Sequence, residues 1–239
     1  MNTKREESIQ DIEKSFEQMS NLVLGQLKLL EKFMTDPANC NFAVLVKEVK
    51  KNEIEIDKFE VTISEQIISS IVLFQPVASD IRKIMAIYRI VINLERVGDS
   101  VMNIIYSLEM IRNSPEFREM IEVLTNMLLT GISMVEKSLL SFVNRDSEYA
   151  VWTIKNDEIV DEMNRKLLVT SIKRAKLRGK TKAMLLSYVD LKYIITNLER
   201  VADHATNIAE ASIYSLQGTD IRHSVHDINP DDQAKNEKK

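Results

Sequence analysis

The sequence predicts an all-α protein made of two copies of one helical unit, and three observations carry that expectation. Across 239 residues there are five glycines and four prolines against 44% hydrophobic and 28% charged residues, too few turn formers for a sheet protein. Those few breakers are spaced about one long helix apart. Finally, Asn93-Leu94-Glu95-Arg96-Val97, with Asp99 and Asn103-Ile104 beyond it, returns 104 residues later as Asn197-Leu198-Glu199-Arg200-Val201, with Asp203 and Asn207-Ile208. Eight of the twelve positions from 93 to 104 are identical in the second copy, so the chain reads as two related halves sharing an interface.

The elements follow in order. Thr3 and Glu6 have the spacing of a capping box and start a first helix that runs to Asp36-Pro37. A second helix spans about 42–74 and stops at Gln75-Pro76; a third covers about 78–112 and ends at Asn113-Ser114-Pro115. The fourth reaches about 144, the fifth about 146–178, and the sixth about 181–216, where Gly218 ends it. Short connections make neighbours antiparallel, so residues 1–112 and 113–217 each form a three-helix up-down-up bundle. Residues 218–239 hold Asp227, Asn229-Pro230-Asp231-Asp232 and a lysine-rich end. They have little to bury and are expected to form a disordered polar tail.

Acids mark one face of each unit. Glu95 and Asp99 lie four apart, as do Glu199 and Asp203, and the preceding helices carry Glu53 with Asp57 and Asp157 with Asp161 at the same offset. At about 100° per residue each pair projects from one helical face. In an antiparallel hairpin, level residues have numbers with a constant sum. Asp57 with Glu95 and Glu53 with Asp99 share a centre at Pro76, while Asp161 with Glu199 and Asp157 with Asp203 share one beside Gly179. Each quartet is therefore level, roughly 28 Å from its turn at about 1.5 Å of rise per residue. On a helical wheel Val91, Leu94, Gly98 and Val101 form the apolar stripe beside Glu95; Ile195, Leu198, Ala202, Ala205 and Ala209 lie beside Glu199, and Val49, Ile56, Phe59 and Ile63 beside Glu53. The acids flank the buried stripe.

Like charges four apart destabilise a helix by roughly 0.2–0.5 kcal/mol, and a second pair across the hairpin adds to it. No Lys or Arg shares the stripe at the acids' level, since Arg96 and Arg200 lie about 100° around. Carboxylates so gathered suit hard, oxygen-seeking cations such as Mg²⁺, Mn²⁺, Ca²⁺ or iron. A solvated face is the plain reading of any one such pair. Four pairs on one offset, level across two hairpins, favour a metal site. A catalytic di-iron bundle would need Glu-x-x-His on core helices, and no histidine here has a Glu three residues before it. No enzymatic activity is expected, and a structural scaffold would leave the level acids unexplained. His204 reads as a surface or packing residue, His223 and His226 as part of the tail, and Trp152 and the eleven methionines as core and interface filler. No glycine-rich phosphate cradle is present.

A net charge of -4 argues against nucleic acid as a partner. The local basic cluster Lys173, Arg174, Lys176, Arg178, Lys180 and Lys182 reads as a solvated interhelix corner, with a membrane surface or an acidic partner as the alternative. Cys40 is alone, which fits a reducing compartment. The first residues lead into no apolar signal segment and no apolar run approaches about 20 residues, so a cytoplasmic protein is expected.

At these residues the chain resembles the PhoU family, accessory proteins of bacterial phosphate-specific transport marked by a duplicated Glu/Asp-x-x-x-Asp motif on paired three-helix bundles. Gln75-Pro76-Val77-Ala78-Ser79-Asp80-Ile81-Arg82 and Leu94-Glu95-Arg96-Val97-Gly98-Asp99 occur in order at family-like spacing. Leu198-Glu199-Arg200-Val201-Ala202-Asp203-His204-Ala205-Thr206-Asn207-Ile208-Ala209-Glu210 closes the second copy, and the resemblance covers about residues 3–217. It implies a cytoplasmic, often dimeric negative regulator of phosphate uptake and starvation signalling that contacts the ATPase subunit of the phosphate transporter and a phosphate-sensing histidine kinase. Membrane association would come only through those partners. It further implies multinuclear metal clusters, iron foremost with manganese, magnesium or zinc as alternatives, on Glu53, Asp57, Glu95 and Asp99 and on Asp157, Asp161, Glu199 and Asp203. Asp80, Arg82, Arg96, Arg200, Asn103 and Asn207 are candidate partner-contact or supporting residues. Gly98 becomes Ala202 in the second copy, a small-for-small change. Asp80 and Arg82 have no counterpart there, Met184 and Leu186 standing in their places, and Asp80 reads equally as a first-turn acid favoured by the helix dipole. A regulator of a different phosphate carrier and a non-regulatory metal-binding scaffold are the remaining alternatives.

Overall fold

A computed structural model describes residues 2–175 and 182–221. Among them are six helices and no strand: α1 (Asn2–Thr35), α2 (Phe42–Phe74), α3 (Ala78–Ile111), α4 (Pro115–Asn144), α5 (Ser147–Ala175) and α6 (Lys182–Gln217). The boundaries fall at the breakers. Asn41 caps α2 by accepting from the Ala43 and Val44 amides at 3.1 and 3.2 Å, and Gln75 ends it in the left-handed conformation at φ 44° before Pro76. Ser114 caps α4 through the Phe117 amide at 3.1 Å, with Pro115 in the first turn. Gly218, at φ 72°, closes α6.

Two expectations need correction. Thr3 is not a cap, because α1 already contains Asn2 and Thr3 sits inside its first turn; no glycine or proline nearby forces the helix to begin there. The chain beyond Gly218 is not free from its first residue onward. Asp220 pairs with Arg89 at 3.3 Å, and Ile221 packs on a small cluster of Ala150, Ala209 and Ile213. One aliphatic side chain and one charge hold the segment against α3 and α5. The rest of the tail, the Gly179 turn with Lys176, Arg178 and Lys180 of the basic cluster, and His223 and His226 lie outside the described residues.

Within each half all three helices pack on one another, and the halves join through α3 on α6 and α1 on α4. Both joining pairs are antiparallel. Along α3 and α6 the partners run Arg89 with Tyr214 and Asn93 with His204; along α1 and α4 they run Phe16 with Phe142 and Lys28 with Glu136. A local twofold between two copies of one bundle produces this arrangement. One continuous core crosses the join, from Ile12 and Leu27 on α1 to Leu198 and Val201 on α6. The stripe residues beside the acids are buried, apart from half-buried Phe59.

Candidate functional site

The four acidic pairs lie along the two hairpins α2–α3 and α5–α6, at the edge of that core. In each quartet one acid per helix is half-buried and the other exposed: Glu53 and Glu95 against Asp57 and Asp99, then Asp157 and Glu199 against Asp161 and Asp203. Burial pushes the Glu53 carboxyl up to about 7; a Gln26 hydrogen bond opposes this, and the charges of Asp99 and Asp57 add to it. Glu95 also rises to about 7, through burial first and then the charges of Asp99, Glu60 and Asp57, against Arg96. These influences pass between the residues that the hairpin arithmetic sets level. In the second half, partial loss of hydration raises Asp203 to about 6, with Asp157, Glu199 and Asp161 adding to the rise and Arg200 opposing it. Asp157 is raised by burial and by Asp161 and Glu199.

The side chains of the quartets are of the kind a hard cation takes. All donors are carboxylate oxygens. Glu53 Oε1 and Asp157 Oδ1 are buried without a hydrogen-bond partner. Among the described residues the six salt bridges all lie elsewhere, so none of the eight acids is ion-paired. The chemistry therefore fits. No three His, Cys, Asp or Glu side chains among the described residues are gathered tightly enough to hold one ion as they stand, so each quartet is a set of available ligands and not a closed coordination shell.

Gly98 explains how α2 and α3 approach here. A Cβ on it would meet Glu53 Oε2 at 3.0 Å and Ile56 Cδ1 at 3.2 Å, so the ends of those two side chains would have to shift to admit it. In the second half Ala202 replaces Gly98 and Asp157 replaces Glu53. One carbon has left the acid and one has joined the facing helix, so the small-for-small change at 98 is half of a paired exchange.

The supporting candidates divide. Asp80 is in the first turn of α3, where a carboxylate faces the helix dipole favourably, and lies 3.8 Å from Arg5. Arg82 packs its stem within 3.5–4.0 Å of where a Gly218 Cβ would stand, and its Nε is buried without a partner. Both belong to the end of the molecule where α6 closes, away from the quartets. Arg96 and Arg200 are exposed and act on the acids beside them. Asn103 and Asn207 are exposed one turn beyond Asp99 and Asp203. His204 packs between the halves, with Nδ1 3.1 Å from Asn93 Oδ1, as a packing histidine would.

Two members of the first site escape a search for repeated acids. Glu60 acts on Glu95, but its counterpart is Asn164. Gln26 reaches Glu53 from α1, in neither acid-bearing helix. The signal for Glu60 was its place three residues after Asp57; nothing local marks Gln26.

No helix among the described residues is long and apolar enough to cross a membrane. Fold and site together define a class: tandem three-helix bundles joined about a local twofold, each carrying a level carboxylate quartet on one hairpin. A family model described as the PhoU domain matches twice, at residues 16–108 and 124–212, and the chain belongs to the PhoU family. It is 31% identical over 216 residues to a "Phosphate-specific transport system accessory protein PhoU homolog" from Burkholderia sp, covering 89% of this chain and 90% of that one. It is 35% identical over 217 residues to one of the same description from Aquifex aeolicus, covering 88% and 95%. The crystal structure of PhoU from Pseudomonas aeruginosa shares the fold with a TM-score of 0.74 at 24% identity, covering 90% of this chain and 99% of that one. The phosphate transport system regulatory protein PhoU from Streptococcus pneumoniae shares it with a TM-score of 0.77 at 22% identity, covering 90% and 98%.

Proposed function

We propose that this chain is a regulatory accessory protein of phosphate-specific transport, lowering phosphate uptake and repressing starvation signalling when phosphate is plentiful. The observation that carries the reading is similarity over nearly the whole chain to proteins described as accessory to that transport system. The role in this reading is one of contact with partner proteins. The partners are the ATPase subunit of the phosphate transporter and a phosphate-sensing histidine kinase, met in the cytoplasm by a homodimer.

In this reading Glu53, Asp57, Glu95 and Asp99 hold one metal centre, and Asp157, Asp161, Glu199 and Asp203 the other, iron foremost. A bound cation supplies the positive charge the quartets lack and so ties α2 to α3 and α5 to α6. Support comes from the unpartnered carboxylate oxygens and the upward pKa shifts.

Deleting the gene should derepress phosphate-starvation genes in phosphate-rich medium, and unchanged expression would sink the signalling role. Derepression confined to genes of another phosphate carrier would transfer the role to that carrier. A second reading, a helical scaffold without metal, is favoured by the open arrangement of the acids. It prevails if protein purified without chelator carries no metal and its Tm is unmoved by iron, manganese or magnesium.

A further inference from the structure

The α5–α6 hairpin carries a charge that its repeat does not. In sequence, residues 163–189 hold eight lysines and arginines and no acid, whereas the matching stretch of the first half, 59–85, holds two bases and three acids. The chain as a whole stands at -4. The duplicated fold is therefore built without this charge in one of its copies. Packing does not use it on α6 either, where Lys182 and Lys192 are exposed and take part in none of the six salt bridges among the described residues.

An apolar stripe lies between those lysines. Leu185, Leu186, Val189 and Tyr193 are between 47% and 59% exposed, and at about 100° per residue these four and the two lysines fall within roughly 120° of the α6 surface. The local twofold shows what such a face lacks. On α3 the places of Leu186 and Tyr193 are taken by Arg82 and Arg89. The Arg82 stem lies against Gly218, while Arg89 stacks on Tyr214 at 4.5 Å and pairs with Asp220 at 3.3 Å. The end of α6 and the residues after it thus cover that face. In the other half the place of Tyr214 is held by Met110, 75% exposed, and the chain then turns into α4 at Pro115. The matching face of α6 is left bare, apolar and flanked by positive charge.

We infer that this face of α6 rests directly on an anionic membrane surface, with Lys182 and Lys192 against lipid phosphates and the stripe between them set into the boundary with the acyl chains. Charge decides against a second copy of the chain, since a twofold would lay one basic stretch on another. The mixture of side chains decides against a purely ionic partner. Lysine stems lie along apolar surface while their ammonium groups reach anions, leucine and valine gain by leaving water, and tyrosine is at home where headgroups meet hydrocarbon. No helix among the described residues is long and apolar enough to cross a membrane, so the contact is one of lying on the surface. It adds a direct attachment to the partner-mediated one that the family resemblance implies, and it does not depend on the acidic quartets.

Sedimentation of the full chain with lipid vesicles tests it. The unmodified protein should pellet with phosphatidylcholine vesicles that contain phosphatidylglycerol, stay in solution with phosphatidylcholine alone, and be released by salt. Lys182→Gln with Lys192→Gln should weaken partitioning roughly 25-fold, about fivefold for each charge. Leu185→Ser with Leu186→Ser should weaken it several-fold and leave its salt dependence in place. Tyr193→Trp places a reporter on the stripe, and its emission should move to shorter wavelength with the anionic vesicles while that of Trp152 in the unmodified chain stays where it is. Failure of the unmodified protein to bind anionic vesicles, or equal binding to neutral ones, would overturn the inference. Binding unmoved by both double variants, or an unshifted Tyr193→Trp emission, would overturn the placement on this face. Binding of polyglutamate in place of vesicles, lost with the two lysines, would give the face to an acidic protein and overturn the membrane contact.

Discussion

His204 Nδ1 lies 3.1 Å from Asn93 Oδ1, joining α6 of the second half to α3 of the first. The reciprocal pair under the local twofold is Ser100 and Asn197, and it is not made: the Ser100 hydroxyl donates to the Arg96 carbonyl at 2.8 Å, while Asn197 Oδ1 is buried without a partner. Both asparagines otherwise behave alike, each donating 2.8 Å to the carbonyl four residues back. One polar contact thus distinguishes the halves at their join.

Replacing His204 by Ala should destabilise the protein by about 1–2 kcal/mol in urea unfolding, because Asn93 Oδ1 loses its partner inside the join. Unchanged stability would mean the contact contributes nothing net.

Gly98→Ala should destabilise by about 1 kcal/mol, crowding of the new Cβ against Glu53 Oε2 at 3.0 Å outweighing the roughly 0.5–1 kcal/mol that alanine gains inside a helix. Adding Glu53→Asp recreates the combination found at Asp157 and Ala202. The double variant should recover much of that loss in an unfolding cycle; strictly additive losses would contradict the paired exchange.

The metal-free protein should lose stability as pH rises. Glu53 and Glu95 stand at about 7 in the fold against an ordinary 4.5, so their contribution is full below pH 4.5 and is lost as pH rises through 7. His204 works the other way: burial, then Arg96 and Arg200, lower it to about 4 from 6.5. Its contribution is present above pH 6.5 and is lost as pH falls through 4. The two oppose each other between pH 4.5 and 6.5, leaving the carboxylate decline by itself across neutrality. Urea midpoints from pH 6.5 to 8 should fall for the parent and stay nearly level for Glu53→Gln with Glu95→Gln.

Asp99→Ala with Asp203→Ala should keep full helical content by circular dichroism while Mn²⁺ and iron binding are lost. Removing like charges four apart cannot weaken a helix. Collapse of the helices would show that these aspartates serve the fold first.

The sequence by itself determined the six helices and the level quartets. Helix ends obey local rules, so Pro37, Pro76, Ser114 and Gly218 could be read as punctuation, and a tight turn sets the register of a long hairpin by counting alone. The quartets were legible because acids on both hairpins repeat at one offset, and membership of the PhoU family followed from the same residues. Only the tertiary structure decided how the halves meet, with α3 against α6 and α1 against α4, and which residues surround each quartet. Gln26 comes from a helix without the motif, Gly98 matters through its distance to Glu53, and Asp220 and Ile221 are held by Arg89 and a small apolar cluster. The contacts of Gln26, Gly98 and Asp220 link residues from 27 to 131 positions apart, where packing shape and desolvation act and no local period records the outcome.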